Sequence, residues 1–229
     1  MGSSRLPGKV MMKLDQPNTI LFYVVNQLKH SKKINRIIVA TTNQTEDDII
    51  SSHAKIMKVN LFRGNALDVL DRYYQCAKNF SSQTIVRITA DNPLIDPIIV
   101  DSVIEQFIKN SFDYISNAKP RTFPYGTEVE VFSFHALKKA WNNAKKPSER
   151  EHVTPYFHNQ KKKFKISNIT HSENISYLRW TVDRENDLKF VRKIVSKIKK
   201  RPILMTDIIK LISNDPTITN INKNGIPDE

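Results

Sequence analysis

Short β-branched runs that alternate with amphipathic segments constrain the fold of this chain more than any other feature. The runs IIVA at 37–40 and IVRI at 85–88 have the length and composition of strands. Apolar residues recur at helical spacing over 19–29, 46–55 and 66–79, before and between these runs. Strands that alternate with helices predict a parallel, doubly wound α/β sheet.

The second half of the chain has a less regular pattern. It predicts six further elements: helices over 97–109, 134–144, 186–199 and 206–213, and strands over 128–132 and 165–170. We expect the strands of this half to run in mixed directions. One domain is therefore predicted over 1–213, and the tail over 214–229, which lacks a core pattern, is expected to be loosely held.

The strongly basic charge raises the question of nucleic-acid binding. The 229 residues include 36 Lys and Arg against 23 Asp and Glu, a formal net charge of +13. The lysines are spread along helices and loops without the interleaved aromatic residues on which single-strand binders stack bases. We therefore prefer a solvated lysine-rich surface and expect no nucleic-acid partner, although the positive field would still attract an anionic substrate.

Cysteine content and hydropathy indicate the cellular compartment of the protein. Cys76 is the single cysteine, which excludes an intramolecular disulfide. No apolar run approaches the roughly 20 residues that a bilayer requires, and no secretory signal is visible. The sequence therefore predicts a cytoplasmic protein without a membrane partner.

A loop of small residues and cations, MGSSRLPGK, opens the chain. The backbone N–H groups of Gly2, Ser3 and Ser4 can approach phosphate oxygens, while Arg5 and Lys9 can neutralise their charge. The Gly-Ser run alone would also suit a terminal linker, whereas RLPGK would not. The loop predicts a triphosphate site, although such loops normally follow a buried strand.

Two aspartates end strand-like runs, Asp91 in RITAD and Asp183 in LRWTVD. Ligands of open α/β sheets bind beyond the carboxyl ends of strands, and Mg²⁺ prefers carboxylate oxygens together with substrate phosphates. Both aspartates are therefore candidate metal ligands. The alternative is a helix N-cap. Asp96, which precedes Pro97, is the better cap beside Asp91, whereas spacing does not decide the question for Asp183.

Four motifs occur in one order along the chain: GSSRLPGK, RITADNPLID, PSEREHVTPY and LRWTVDRENDL. Together they resemble the cytidylyltransferases that activate acidic sugars, especially the branch of spore-coat polysaccharide biosynthesis proteins. They are similar more distantly to the enzymes that make CMP-sialic acid and CMP-3-deoxy-manno-octulosonate. The resemblance covers about 1–213 and implies a three-layer α/β/α, Rossmann-like fold. Its sheet would be mixed but mostly parallel, as in nucleotide-diphospho-sugar transferases.

The resemblance implies a reaction in which a sugar hydroxyl attacks the α-phosphate of CTP, with Mg²⁺ as cofactor. The products would be a CMP-sugar and pyrophosphate, for surface polysaccharide or glycan biosynthesis. Arg5, Lys9 and Asp91 match catalytic positions, and Asp91 and Asp183 match the metal ligands. The nucleotide contacts that the resemblance implies are Gly2, Ser3, Ser4, Arg5, Lys9, Arg63 and Gly64. For Arg63 and Gly64 a simple surface turn is the alternative.

The sugar contacts implied by the resemblance are Arg121, Tyr125, Glu128, Glu149, Arg150 and His152. Arg121 is expected to be free to bind a substrate carboxylate in bidentate fashion. The alternative for the first three residues is a proline-rich turn that leads into a strand. The alternative for the last three is a structural salt-bridge cluster, at the interface of a homodimer of the kind that similar enzymes form.

The chain departs from the family pattern at its beginning, where relatives carry an apolar strand before the Gly-Ser loop. The resemblance therefore implies that a central strand is missing, through a truncation or a misplaced start. Loss of such a strand exposes two ladder edges and apolar area, so we expect an unstable or inactive protein unless another strand fills the gap. A non-catalytic paralogue and an enzyme that uses another nucleoside triphosphate remain alternatives.

Overall fold

Two separate sheets contain the strands of this protein. The computed structural model describes residues 2–3 and 5–223. The strands within those residues are β1 (Ile38–Thr42), β2 (Asn60–Gly64), β3 (Thr84–Arg87), β4 (Tyr114–Ser116), β5 (Glu130–Ser133) and β6 (Ile166–Asn168). The two sheets have the strand orders β1-β2 and β3-β5-β4-β6.

Helices precede, separate and follow the strands. They are α1 (Ile20–Leu28), α2 (Asp48–Ile56), α3 (Val69–Asn79), α4 (Pro97–Asn110), α5 (Phe134–Asn143), α6 (Pro147–His152), α7 (Pro155–Asn159), α8 (Glu185–Lys197) and α9 (Met205–Asn214). Polar caps fix several first turns: Thr19 accepts a hydrogen bond from the Phe22 N–H, and Asp96 caps α4 as expected. In the part of the chain that is described, no helix is long and apolar enough to cross a membrane.

The pairing of the strands is mixed. β1 runs parallel to β2, and β4 runs parallel to β6, whereas β5 is antiparallel to both β3 and β4. The prediction of an α/β fold with a mixed sheet is confirmed. The prediction that the runs at 37–40 and 85–88 share one parallel sheet is wrong for this structure, because they fall in β1 and β3, which belong to different sheets.

Alternate residues of the central strands pack against helices on opposite faces of the sheet, as the two-residue period of a strand requires. Ile115 and Val131 belong to a core cluster that contains residues of α1, α4, α8 and α9. Their chain neighbours Tyr114 and Phe132 belong to a second cluster with residues of α3, α5 and α7. The fold therefore has three layers, with the sheet between two layers of helices.

The strands on either side of the division between the sheets, β1 and β3, are less buried than the central strand β4. β4 is fully buried, whereas the strand residues of β3 are exposed or half-buried. No backbone ladder joins β1 to β3 among the described residues. The half-buried Ile37, Val39 and Val86 pack against core clusters near these edges. Among the described residues, β1 and β3 are each paired with a strand on one side only.

The residues after α9 differ from the loosely held tail that the sequence predicts. Pro216–Ile221 forms a 3₁₀ helix, and Ile218 is only 1% exposed within the larger core cluster. The Asn222 amide donates to the Arg179 carbonyl oxygen at 2.9 Å and to the Asp187 carboxylate at 3.1 Å. The buried Ile218 side chain and the hydrogen bonds of the Asn222 amide therefore hold this segment in place. Residues 224–229 lie outside the described part.

Adding an apolar strand before Gly2 should stabilise the protein, because it would pair with β1 and β3 and cover their half-buried side chains. Each Val or Ile side chain that becomes buried contributes about 1.5–3 kcal/mol. We expect a fused strand of five Val and Ile residues to raise the Tm by at least about 5 °C relative to a Gly-Ser fusion of equal length. Equal calorimetric melting temperatures for the two fusions would show that the edges do not accept a strand.

Candidate active site

The N-terminal loop turns the Lys9 side chain towards the interior. Gly8 has φ +70°, a left-handed conformation that favours glycine, and it caps the 3₁₀ turn Lys9–Met11. Leu6, which is 6% exposed, anchors the loop in the larger core cluster. Lys9 is only 9% exposed as a result, so its ammonium group must find partners within the protein.

The Lys9 ammonium group bridges the two aspartates that the sequence analysis selected. Its Nζ lies 2.7 Å from Asp91 Oδ2 and 2.7 Å from Asp183 Oδ1. Asp91 and Asp183 are 82 and 174 positions from Lys9 along the chain. The structure therefore brings Asp91 and Asp183 together with a cation of the N-terminal loop.

Neither aspartate is an N-cap in this structure. Asp91 follows β3, and its carbonyl oxygen accepts a hydrogen bond from the Val182 N–H at 2.9 Å, which ties the two aspartate-bearing segments together. At the start of α8, Asp187 accepts from the N–H groups of Asp183 and Arg184, both at 3.0 Å. The carboxylates of Asp91 and Asp183 are therefore available to bind Lys9 and the cations around it.

Sequence reasoning missed Arg179, which fixes the second aspartate. The Arg179 guanidinium is 7% exposed and binds Asp183 Oδ2 at 2.5 Å and Asp187 Oδ1 at 3.3 Å. The spacing of four residues between Arg179, Asp183 and Asp187 in LRWTVDRENDL was the available signal. Arg5 lies 3.6 Å from Asp183 with a side chain 61% exposed, so its charge faces solvent beside the bridge.

The bridge shifts the pKa values of Lys9 and Asp183 in opposite directions. Burial would lower the pKa of Lys9, but the charges and hydrogen bonds of Asp91 and Asp183 outweigh it and raise that pKa above its ordinary value. Burial would raise the pKa of Asp183, but Lys9 and Arg179 lower it below its ordinary value. Lys9 and Asp183 are therefore both charged around neutral pH.

The pair of carboxylates is chemically suited to a hard divalent cation. One oxygen of each aspartate lies 2.7 Å from the same point, the Lys9 Nζ, and Mg²⁺ holds oxygen ligands at about 2.0–2.1 Å. Mg²⁺ usually takes one or two carboxylates and completes its octahedron with water and phosphates. No group of three or more His, Cys, Asp or Glu residues that could hold a metal occurs among the described residues.

The loop that was expected to bind the sugar lies beside this site. The Tyr125 N–H donates to the Leu178 carbonyl oxygen at 2.9 Å, and the Trp180 N–H donates to the Tyr125 carbonyl oxygen at 2.6 Å. These bonds fix the loop on the segment that leads to Asp183. Tyr125 therefore lies close to Arg179, whose guanidinium carbon is 5.9 Å from the centre of the Tyr125 ring.

Arg121 is not free, contrary to expectation. Its guanidinium group forms an ion pair with Glu128 and stacks 3.8 Å from the centre of the Tyr125 ring. The Glu128 carboxylate also accepts hydrogen bonds from the Gly126 N–H at 2.9 Å and from the Asn92 amide at 3.1 Å. Arg121, Tyr125 and Glu128 thus form one closed cluster, which is connected to Asn92, the residue that follows Asp91.

The remaining candidates lie in local structural contacts. The Arg63 guanidinium donates to the Thr42 and Gln44 carbonyl oxygens and pairs with Asp48, so it holds the loop after β1. A Cβ atom on Gly64 would approach the Phe62 ring to 2.9 Å, which explains the glycine by packing. Both residues end β2 and pair with β1, so their contacts are structural but are not those of the surface turn that was the alternative.

The charged residues of α6 also bind neighbouring structure. Arg150 pairs with Asp68, the N-cap of α3, and Glu149, 4% exposed, accepts a hydrogen bond from Asn159 at 2.8 Å. His152 is exposed. Within the described residues, no hydrogen bond or ion pair joins these three residues to the bridge. Their contacts are those of the structural salt-bridge alternative.

The small residues of the loop are only partly described. Gly2 is exposed, with nothing within 4 Å of an added Cβ, and the Ser3 hydroxyl accepts a hydrogen bond from the Leu6 N–H at 3.3 Å. Ser4 lies outside the described residues. Among the described residues, the space around Gly2 is therefore open.

Replacing Lys9 by Met should destabilise the protein most strongly at neutral pH, because two carboxylates would face each other without their cation. We expect a loss of about 1–3 kcal/mol in the free energy of unfolding at pH 7. Lys9 and Arg179 lower the pKa of Asp183 in the folded wild type. The ionised Asp183 carboxylate therefore stabilises the fold at a pH above its pKa in the unfolded chain. This stabilisation is lost as the pH falls through its pKa in the folded protein. The difference between wild type and K9M in urea melts should shrink below about pH 4. A difference that stays constant down to about pH 3 would contradict this electrostatic account.

Gly126 is a position where an added methyl group cannot be accommodated without movement of the backbone. Its φ is +98°, and a Cβ atom would lie 2.4 Å from the Thr181 backbone nitrogen. We expect G126A to lose about 2 kcal/mol or more in chemical unfolding. G64A is a useful comparison, since its Cβ would meet only side-chain atoms at 2.9 Å and beyond. An equal or larger loss in G64A would argue against the contact with Thr181 as the cause.

Comparison with known proteins identifies the family of the chain. The chain matches the family model described as cytidylyltransferase over residues 1–213. It is 40% identical over 225 residues to "Uncharacterized protein MJ1063" of Methanocaldococcus jannaschii, covering 97% of this chain and 91% of that protein. It is 29% identical over 226 residues to the spore coat polysaccharide biosynthesis protein SpsF of Bacillus subtilis, covering 94% and 92%.

Solved structures share the fold. A cytidylyltransferase from Leptospira borgpetersenii superposes with a TM-score of 0.93 and 33% identity, covering all of this chain and 95% of that one. A CMP:2-keto-3-deoxy-manno-octonic acid synthetase complexed with CTP superposes with a TM-score of 0.65 over 86% of this chain and 95% of that one; at 13% identity this likeness concerns the fold alone. Because the cytidylyltransferase family model matches residues 1–213, the protein belongs to the cytidylyltransferase family.

Proposed function

We propose that this protein transfers CMP from CTP to a hydroxyl group of a sugar and releases pyrophosphate. The observation that carries the proposal is the contact of Lys9 with Asp91 and Asp183, beside an open loop of small residues. Cations and metal-binding carboxylates at one point are what displacement at a phosphate requires. The family of the chain and the names of its relatives support CTP as the nucleotide.

The cationic side chains would bind and orient the triphosphate. Arg5, which faces solvent, and Lys9 would neutralise its oxygens, and the backbone N–H groups at Gly2 and Ser3 would add contacts. Asp91 and Asp183 would hold Mg²⁺, which when bound neutralises charge that develops on phosphate oxygens. Arg179 keeps the Asp183 carboxylate in place through its second contact with Asp187.

The proposed reaction is an in-line displacement at the α-phosphorus. The sugar oxygen forms a bond to phosphorus, the bond between the α-phosphorus and the bridging oxygen to the β-phosphorus breaks, and pyrophosphate leaves with that oxygen. The proton of the sugar hydroxyl goes to solvent. Cations around the triphosphate stabilise the charge on the leaving pyrophosphate, so Arg5 and Lys9 would lower the barrier as well as bind substrate.

We infer that the sugar binds at the cluster of Arg121, Tyr125 and Glu128, which the loop bonds fix beside Asp183. A sugar that carries a carboxylate would bind Arg121 in competition with Glu128, because that guanidinium already has an anionic partner. The similarity to SpsF, a spore coat polysaccharide biosynthesis protein, supports a role in nucleotide-sugar supply for polysaccharide biosynthesis.

Two measurements test the proposed function. Calorimetric titration should show that CTP binds in the presence of Mg²⁺ and that ATP, GTP and UTP bind at least about tenfold more weakly. Pyrophosphate release from CTP should then depend on a sugar from a panel of acidic and neutral sugars. D91N and D183N should each lower kcat/KM by about 100-fold or more.

D101N is a matched control, since Asp101 binds the backbone at residues 32 and 33, away from the bridge. It should keep wild-type turnover. A folded wild type that does not bind CTP with Mg²⁺ would contradict the proposed function. Equal binding of all four nucleotides would favour an enzyme that uses another nucleoside triphosphate.

A further inference from the structure

The Lys9 ammonium group occupies the position between two carboxylates that is chemically suited to a divalent cation. Its Nζ is 2.7 Å from an oxygen of each aspartate, and its side chain is 11% exposed. The side chains of Asp91 and Asp183 are 24% and 19% exposed, so solvent ions can reach the carboxylates. An ammonium ion and a metal ion cannot occupy the same position at once.

The charges around this position balance without a metal. The cations are Arg5, Lys9 and Arg179, and the anions are Asp91, Asp183 and Asp187. A divalent cation bound beside an unmoved ammonium group would meet strong repulsion at a separation of a few ångström. Metal binding at Asp91 and Asp183 therefore requires the ammonium group to leave.

The two basic side chains that contact Asp183 most closely differ in their freedom to move. Arg179 is 7% exposed and its planar fork joins Asp183 to Asp187, so it is fixed from two sides. Lys9 carries its charge on a flexible four-carbon stem, and within the described residues its ammonium group hydrogen-bonds to the two aspartates only. Lys9 is the group that can leave while Arg179 maintains the orientation of Asp183.

We propose that Lys9 is a displaceable occupant of the metal position. In the metal-free protein its ammonium group holds Asp91 and Asp183 together. A divalent cation displaces it, and the released ammonium group then becomes available to the phosphates in the N-terminal loop. This inference rests on the proposed function, since it assumes that metal and triphosphate bind in one site.

Displacement makes the binding of metal and of triphosphate cooperative. A metal ion that binds alone must break two ion pairs of Lys9, and a triphosphate that binds alone meets a lysine whose charge is already neutralised. Each ligand removes the obstacle to the other, and the coupling is reciprocal by thermodynamic linkage. Removing the Lys9 charge should consequently strengthen the binding of metal alone while weakening the binding of CTP.

The test is a titration with Mn²⁺ in the absence of nucleotide, followed by electron paramagnetic resonance of the free ion. We expect K9M to bind Mn²⁺ roughly tenfold or more tightly than the wild type. K13M removes the same charge from an exposed lysine whose ammonium group binds Gln16 instead of the aspartates. At physiological salt this control should lie within about twofold of the wild type. Equal Mn²⁺ affinities of K9M and wild type would overturn the proposal.

A second measurement uses the wild type and does not depend on the folding of a variant. Nuclear magnetic resonance of lysine labelled with ¹⁵N at Nζ should detect the Lys9 ammonium group, because two carboxylates protect its protons from exchange. Addition of Mg²⁺ alone should remove or shift this signal. An unchanged Lys9 signal at saturating Mg²⁺ would overturn the displacement.

The two proposals fail in different ways. Tighter Mn²⁺ binding by K9M, in a protein whose wild type does not bind CTP, would support displacement and contradict the proposed function. CTP binding and turnover by the wild type, together with equal Mn²⁺ affinities of wild type and K9M, would overturn displacement alone.

Discussion

The bridge between Lys9 and two aspartates is the interaction on which the organisation of this site depends. It joins the N-terminal loop to the end of β3 and to the segment before α8, over sequence separations of 82 and 174 residues. The chain after β3 carries Asp91, and the irregular segment before α8 carries Asp183, where the sequence pattern had indicated a strand. Gly8 and Leu6 turn the lysine inward. The conformation of the first nine residues is therefore linked to the packing of the sheet.

Sequence patterns predicted the elements that have a clear periodicity. Residues 97–109 were expected as a helix and form α4, capped by Asp96 at the predicted position. β4 was missed because Tyr114–Ser116 has three residues, all buried, which show neither alternation nor helical spacing. The division between β1 and β3 could not be read from the sequence either, because strand pairing depends on which edges meet in three dimensions.

The sequence indicated where Asp91 would lie, because this residue follows a strand-like run, and the structure places it after β3 in contact with Lys9. The contacts of the arginines could not be predicted, because the sequence shows a charged residue but not the partner that it binds. Arg121 was expected to be free and instead pairs with Glu128, while Arg150 pairs with Asp68 and Arg63 holds a loop. Arg179 was overlooked because its role depends on two aspartates that the start of α8 brings to the same guanidinium.

The contacts of Asn222 show that residues beyond 213, where the family model ends, support the candidate site. The Asn222 amide binds Asp187 and the Arg179 carbonyl oxygen, and these residues in turn orient Asp183. The segment after α9 thus acts as a brace for one wall of the site, although it contains none of the residues that would meet a substrate. Sequence variation at 215–222 is consequently restricted by the geometry of Asp183 as well as by packing.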